Sequence, residues 1–303
     1  MTASISVDSA PGHYAAAEIA SQPECWQRAA QLTGHFDLFR RPGQKVAIAG
    51  CGTSWFVAQS IAALRESGGY GVTDAFAASE ARLDGRDYDA LIALSRSGTT
   101  TEVEALLAAA PAGVRKVAVV SDASSPVAQL ADEVIELSFA DEKSVVQTRF
   151  ATTTVALAMA AFGLDLDAAI ADTVAAAEIP LPQHLIDTEQ VVFLGSGWTV
   201  GLVHEAALKL REASQSWTEA YPAMEYRHGP MSLAAPGRTV WIFGPAPDGL
   251  VEEIRQIGGT VISTSAHPLS QLVAAQRLAL ARADARGLDA DTPRNLVRSI
   301  ILS

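Results

Sequence analysis

The sequence predicts an α/β fold in which parallel β-sheets lie between helices on both faces, a three-layer αβα sandwich. Three observations carry this. Short β-branched runs recur, each followed by a helix-like segment, as in strands buried on both faces and joined by crossover helices. The pattern then restarts: residues 46–55 (VAIAGCGTSW) and 191–200 (VVFLGSGWTV) are both an apolar strand running into a glycine turn and a helix, a divergent internal duplication. Finally, 303 residues suffice for two domains at roughly 150 residues each.

In the first half the strand-like runs are residues 45–50, 72–79, 90–95, 116–122 and 133–138. An Ala-rich helix follows at 148–162, and Pro180, Pro182 and His184 stand between apolar positions as in a linker. Strands resume at 190–196, 238–244 and 259–265, with a helix running to about Ser214 and another at 272–286. So little chain separates 265 from 272 that the second sheet should have one strand fewer. The expected organisation is a helical lead-in at 1–30, a first domain at 31–177, a linker at 178–189 and a second domain at 190–303.

Composition narrows the function. With 22 Lys plus Arg against 34 Asp plus Glu the net charge is −12, and 49% of residues are hydrophobic. Such a chain buries full cores, and its acidic surface repels nucleic-acid backbones and anionic membranes in the absence of any Lys/Arg cluster. Residues 1–11 contain no basic residue and no apolar run, so they do not read as a secretory signal, and the weakly polar stretch 152–164 is short of the ~20 residues of a membrane span. A cytoplasmic location is expected. Cys25 and Cys51 are too few for a disulfide framework, the six histidines form no ligand pair, and no metal or cofactor is expected.

Ligands of open parallel sheets sit beyond the carboxyl ends of the strands. Two loops there are rich in hydroxyls: Gly50-Cys51-Gly52-Thr53-Ser54, and Ser95-Arg96-Ser97-Gly98-Thr99-Thr100-Thr101. Small residues let backbone N–H groups approach an anion, helix N-termini add partial positive charge, and hydroxyls donate without net charge. That is a phosphate cradle suited to an acidic protein; the plainer alternative is that these hydroxyls cap the following helices. Neither a dinucleotide fingerprint nor a P-loop lysine is present. The corresponding second-half loop, Gly244-Pro245-Ala246-Pro247, has no hydroxyl.

The second half carries charge instead. Glu205, Lys209 and Glu212 stand at i, i+4 and i+7 on one helix face, compatible with a solvated ion ladder or with proton-transfer chemistry. His228 precedes Gly229-Pro230 and projects from a loop.

Taken together CGTSW, SRSGTTTE, EKSVVQTRF, EAALKLRE, EAYPAMEYRHGP and DTPRNLVRS resemble the double sugar-isomerase-domain (SIS) family, from about Glu18 to the C-terminus. That family includes the isomerase half of glucosamine-6-phosphate synthase and stand-alone amino-sugar-phosphate deaminases and ketose/aldose isomerases. The resemblance implies two tandem SIS domains and a sugar phosphate as substrate. It implies phosphate ligands among Cys51, Gly52, Thr53, Ser54, Ser95, Arg96, Ser97 and Thr100, with Arg96 where glutamine is common, and a sugar contact at Gln147. It further implies that Glu212 shuttles a proton between C1 and C2, that Lys209 assists beside it, and that His228 opens the ring from a neighbouring subunit, hence a homodimer. Arg298 stands where the synthase has a Schiff-base lysine; a guanidinium stays protonated and cannot act as that nucleophile, so it binds sugar hydroxyls or phosphate instead. No glutaminase segment accompanies the motifs. The expected function is ring opening and C1–C2 proton transfer on a hexose or 2-amino-hexose 6-phosphate, with ammonia released from an amino sugar. The alternatives are a synthase-type aminotransferase using ammonia or a separate glutaminase, and a non-catalytic phosphosugar sensor.

Overall fold

The computed structural model describes residues 10–302. Residues 1–9, most of the segment that reads as lacking a secretory signal, and Ser303 lie outside the described residues.

Strands β1 (Val46–Gly50), β2 (Thr73–Ala77), β3 (Ala90–Ser95), β4 (Arg115–Val120) and β5 (Glu133–Glu136) form a five-stranded sheet in the order β2-β1-β3-β4-β5. Strands β6 (Gln190–Gly195), β7 (Trp217–Pro222), β8 (Arg238–Phe243) and β9 (Thr260–Ser263) form a four-stranded sheet in the order β7-β6-β8-β9. Every pairing is parallel. The strand order of the first four strands is thus repeated, and the second sheet stops one strand short, as the spacing before its last helix predicts.

Twelve helices cover the sheets among the described residues: α1 (His13–Ala20), α2 (Gln22–Ala30), α3 (Asp37–Arg40), α4 (Thr53–Ser67), α5 (Thr101–Ala108), α6 (Pro126–Gln129), α7 (Arg149–Ala161), α8 (Asp167–Ala177), α9 (Gln183–Asp187), α10 (Thr199–Ser214), α11 (Leu250–Gln256) and α12 (Pro268–Ala285). Side chains alternate across each strand, and the burial follows. Val46 and Ile48 of β1 pack with α2, α4 and α7, whereas Ala47 and Ala49 face Val103, Leu107 and Val127 of α5 and α6. In β6, Val191 and Phe193 join the cluster of Val46 and Ile48, while Val192 and Leu194 pack on Leu250 and Ile254 of α11. One apolar cluster therefore runs between the two sheets through the helices they share. Each fully buried aliphatic or Phe side chain there contributes about 1.5–3 kcal/mol.

The predicted strands and helices appear with small boundary shifts, but β7 has no counterpart in the prediction. It is an edge strand whose residues WTEAYP neither alternate nor bury continuously, with Trp217 and Pro222 exposed. The segment 178–189 also contains a short helix, α9, and its Leu185 is buried with its carbonyl accepting from Arg282 at 3.0 Å.

Two contacts position the site. Helix α10 crosses α4 at Gly201, where a Cβ would overlap the Phe56 carbonyl and the Ser60 hydroxyl. Beyond α12 the chain returns to the first half. Asp289 accepts from the Gly12 N–H at 2.9 Å and Asp291 from the Tyr14 and Ala15 N–H groups at 3.0 and 2.7 Å, satisfying the start of α1, which has no side-chain cap of its own.

Candidate functional site

The two hydroxyl loops leave β1 and β3 side by side and enter α4 and α5. Gly52 turns the first loop at φ +53°, a left-handed conformation that favours glycine, and Gly50 lies so close to Ser54 that a Cβ would overlap it. Neither α4 nor α5 is capped by a side chain, so the hydroxyls do not serve as N-caps. Ser95 Oγ instead accepts from the Gly98 N–H at 3.1 Å and Ser97 Oγ from the Thr99 N–H at 3.3 Å, holding the turn open ahead of α5.

A cavity of about 230 Å³ opens at this point. Of the predicted site residues, Cys51, Gly52, Thr53, Ser54, Ser95, Arg96, Ser97, Thr100, Gln147, Lys209, Glu212 and Arg298 all line it. His228 does not: it lies exposed at the end of a 3-10 turn, Glu225–His228, after β7. A larger groove of about 610 Å³ lies elsewhere, among Ile19, Val174, Leu181 and Val273. It is mostly apolar, and the Arg277 guanidinium on its wall is engaged by the carbonyls of Ala176 and Ile179.

The charged residues of α10 are not a solvated ladder. Lys209 is 1% exposed and Glu205 fully buried, because the face carrying Gly201, Glu205 and Lys209 is pressed toward α4. The Lys209 ammonium donates to Thr53 Oγ1 at 2.9 Å and pairs with Glu212 at 2.5 Å and Glu205 at 3.4 Å. One side chain thus joins the cradle of the first half to the carboxylate of the second. Burial pushes the Glu205 carboxyl up to about 8, Lys209 opposing and Glu212 adding to the shift. Burial works against the Lys209 charge, but the carboxylates of Glu205 and Glu212 outweigh it and raise its pKa. Glu212 keeps partial exposure, 21% of its side chain, toward the cavity it lines.

Other predicted ligands are placed differently. The Arg96 guanidinium is engaged by protein acceptors: Glu142 at 3.4 Å and the carbonyls of Ser144, Val145 and Arg298 at 3.2 Å each. The Arg298 side chain reaches out to Asp141 at 2.5 Å. Gln147 lines the cavity with a buried Oε1 that has no hydrogen-bond partner. The Cys51 thiol is half-buried and its pKa is pushed up to about 11 by burial and then by Glu102, so it stays protonated near neutrality. Sequence reasoning placed Glu205 on the charged face but not its burial, which no local spacing reveals, and missed Ser299, whose hydroxyl lies 3.1 Å from that of Ser97. Among the described residues no cluster of His, Cys, Asp or Glu could hold a metal ion, and no helix is long and apolar enough to cross a membrane.

The chain is similar in sequence and in fold to several known proteins. The glutamine–fructose-6-phosphate aminotransferase (isomerizing) of Gloeobacter violaceus is 30% identical over 314 residues, which cover 85% of this chain and 52% of that protein. The chain spans about half the length of the curated relatives it matches. Among solved structures, the C-terminal domain of glucosamine-fructose-6-phosphate aminotransferase from Francisella tularensis superposes with a TM-score of 0.80 at 21% identity, covering 96% of this chain and 100% of that one. A glucosamine-6-phosphate deaminase from Thermotoga maritima gives a TM-score of 0.76 at 24% identity, covering 95% and 99%. The SIS domain family itself matches once, over residues 39–163, which narrows the expected double domain to one on this measure. The match to the SIS domain family is thus confined to residues 39–163, while the chain as a whole shares its fold with a glucosamine-6-phosphate deaminase and an aminotransferase C-terminal domain.

Proposed function

We propose that this chain is a phosphosugar isomerase or deaminase that opens a hexose or 2-amino-hexose 6-phosphate and moves a proton between C1 and C2. The observation that carries the reading is that Ser95 at the end of β3 and Glu212 on α10, from different halves of the chain, line one cavity, with Lys209 joining Thr53 to Glu212. The phosphate would lie at the N-termini of α4 and α5, taking hydroxyl donors from Ser54, Ser95, Ser97 and Thr100; these are neutral groups that let an acidic protein hold a dianion. Glu212 would take the proton from C2 of the open-chain aldose and return it to C1. With an amino group at C2 the product is a ketimine, and water attacking C2 releases ammonia and leaves the ketose. The Lys209 ammonium holds the Glu212 carboxyl in place and offsets charge developing on the substrate oxygens. His228, exposed in its own chain, is read as opening the ring in the site of a second copy. The repeated strand order supports reading the second sheet as a diverged relative of the first.

A second reading runs the same proton transfer toward amination of fructose 6-phosphate, and the aminotransferase names of the relatives favour it. Incubating the chain in deuterated water with a panel of hexose and hexosamine 6-phosphates, with and without ammonia, tests both through deuterium uptake at C1 or C2 by NMR. Glu212→Gln is expected to lower exchange by about 10²- to 10⁴-fold while leaving phosphosugar affinity nearly unchanged. Unchanged exchange in that variant removes Glu212 from the mechanism. Tight binding of the panel with no exchange by the native chain makes it a binding protein instead.

A further inference from the structure

The C-terminal segment lines the cavity at residues 295–300 and is gripped by a residue of the second hydroxyl loop. Arg96 is 4% exposed, and its partner Glu142 is 1% exposed. Glu142 is itself fixed at the start of α7, accepting from the Thr148 N–H at 2.6 Å, the Thr148 hydroxyl at 2.8 Å and the Arg149 N–H at 2.7 Å. A buried ion pair of this kind brings little net stability, since desolvation cancels much of the attraction. What it does here is direct the planar guanidinium, whose Nη groups also reach the carbonyls of Ser144, Val145 and Arg298. The segment is thereby clasped to the loop at Arg298. One residue further, Ser299 Oγ accepts from Ser97 Oγ at 3.1 Å and Thr99 Oγ1 at 3.0 Å and lies 3.5 Å from Thr100 Oγ1. The Thr101 N–H, at the start of α5, donates to the Ile300 carbonyl at 3.2 Å.

We infer that Arg96 is a positioning residue that holds residues 295–302 across the cavity, and that Ser299, which it seats, is a further phosphate-binding hydroxyl. The inference rests on the phosphosugar reading above. Each hydroxyl has one donor and two acceptor sites, so an entering phosphate turns the donors of Ser97, Thr99, Thr100 and Ser299 toward itself as a set. Arg96 then acts on the anion through the segment it fixes, with its guanidinium directed to the protein.

The test uses the full chain and the variants Ser299→Ala, Arg96→Gln and Arg96→Lys, the last keeping a positive charge opposite Glu142 in case the glutamine variant does not fold. Glucosamine 6-phosphate and inorganic phosphate are titrated separately by calorimetry, and hydrogen exchange of residues 295–302 is followed without ligand. Ser299→Ala is expected to weaken both ligands about tenfold, or ~1.4 kcal/mol. The Arg96 variants should weaken them similarly and speed exchange of the segment at least tenfold. Adding Ser299→Ala to Arg96→Lys should cost less than threefold more, a dependence that a general loss of stability would not produce. Unchanged exchange in both Arg96 variants overturns the positioning role. Tighter binding by Ser299→Ala overturns its assignment, since the hydroxyl would then be blocking the site. A native chain that binds neither ligand brings down the phosphosugar reading and Ser299 with it, while the exchange measurement still decides Arg96.

Discussion

Glu205 does not itself line the cavity, yet through its pairing with Lys209, which does, it sets how the charged face of α10 responds to pH. With its carboxyl raised from an ordinary 4.5 to about 8, the folded chain holds a proton there that the unfolded chain releases above about pH 4.5. Stability from this group is therefore fully present below pH 4.5 and is lost as pH rises through about 8, above which folded and unfolded chains both hold it ionised. Thermal melts of the native chain should fall more steeply from pH 5 to 8.5 than those of Glu205→Gln. Parallel curves would mean that Glu205 is ionised in the fold. The spacing of Glu205, Lys209 and Glu212 was visible in the sequence, but an identical spacing serves a solvated ladder. What separates the cases is which side of α10 meets α4, and that is decided by residues 150 positions away. That the two hydroxyl loops border one cavity was legible for the opposite reason: their residues are neighbours in the chain and follow directly from strand ends.

Among the elements, the α4–α10 crossing holds the site together. Gly201 permits it, since any side chain there meets the Phe56 carbonyl and the Ser60 hydroxyl, and α4 begins with the Thr53 that Lys209 binds. Gly201→Ala should lower stability by about 1–3 kcal/mol in urea unfolding, as overpacking does. It should also reduce C2 exchange, because the helices must separate and stretch the Lys209–Thr53 bond. A variant as stable and active as the native chain would show that the crossing has slack. A glycine in a helical stretch signals such an approach only weakly, and β7 was hidden altogether. At a sheet edge Thr218 to Tyr221 need not alternate, so no period-2 signal exists to be read. Central strands such as β1 and β3, buried on both faces, announce themselves by composition.

On the scale of the whole molecule, the duplicated pattern suggests two separate units, but the packing links them. Val46 and Ile48 share a cluster with Val191 and Phe193, and Leu185 in the expected linker is buried against the second half. Differential scanning calorimetry should therefore show a single cooperative transition. Two resolved peaks would mean that the halves melt independently and that the shared cluster contributes little. The returning C-terminal stretch has a practical consequence as well. Asp289 and Asp291 stitch it to the first helix, after which residues 295–300 line the cavity and the Leu302 N–H bonds Thr101 Oγ1 at 2.9 Å. A bulky group attached near Leu302 would therefore stand within a few residues of the cavity wall, so binding measurements belong on protein that carries none there.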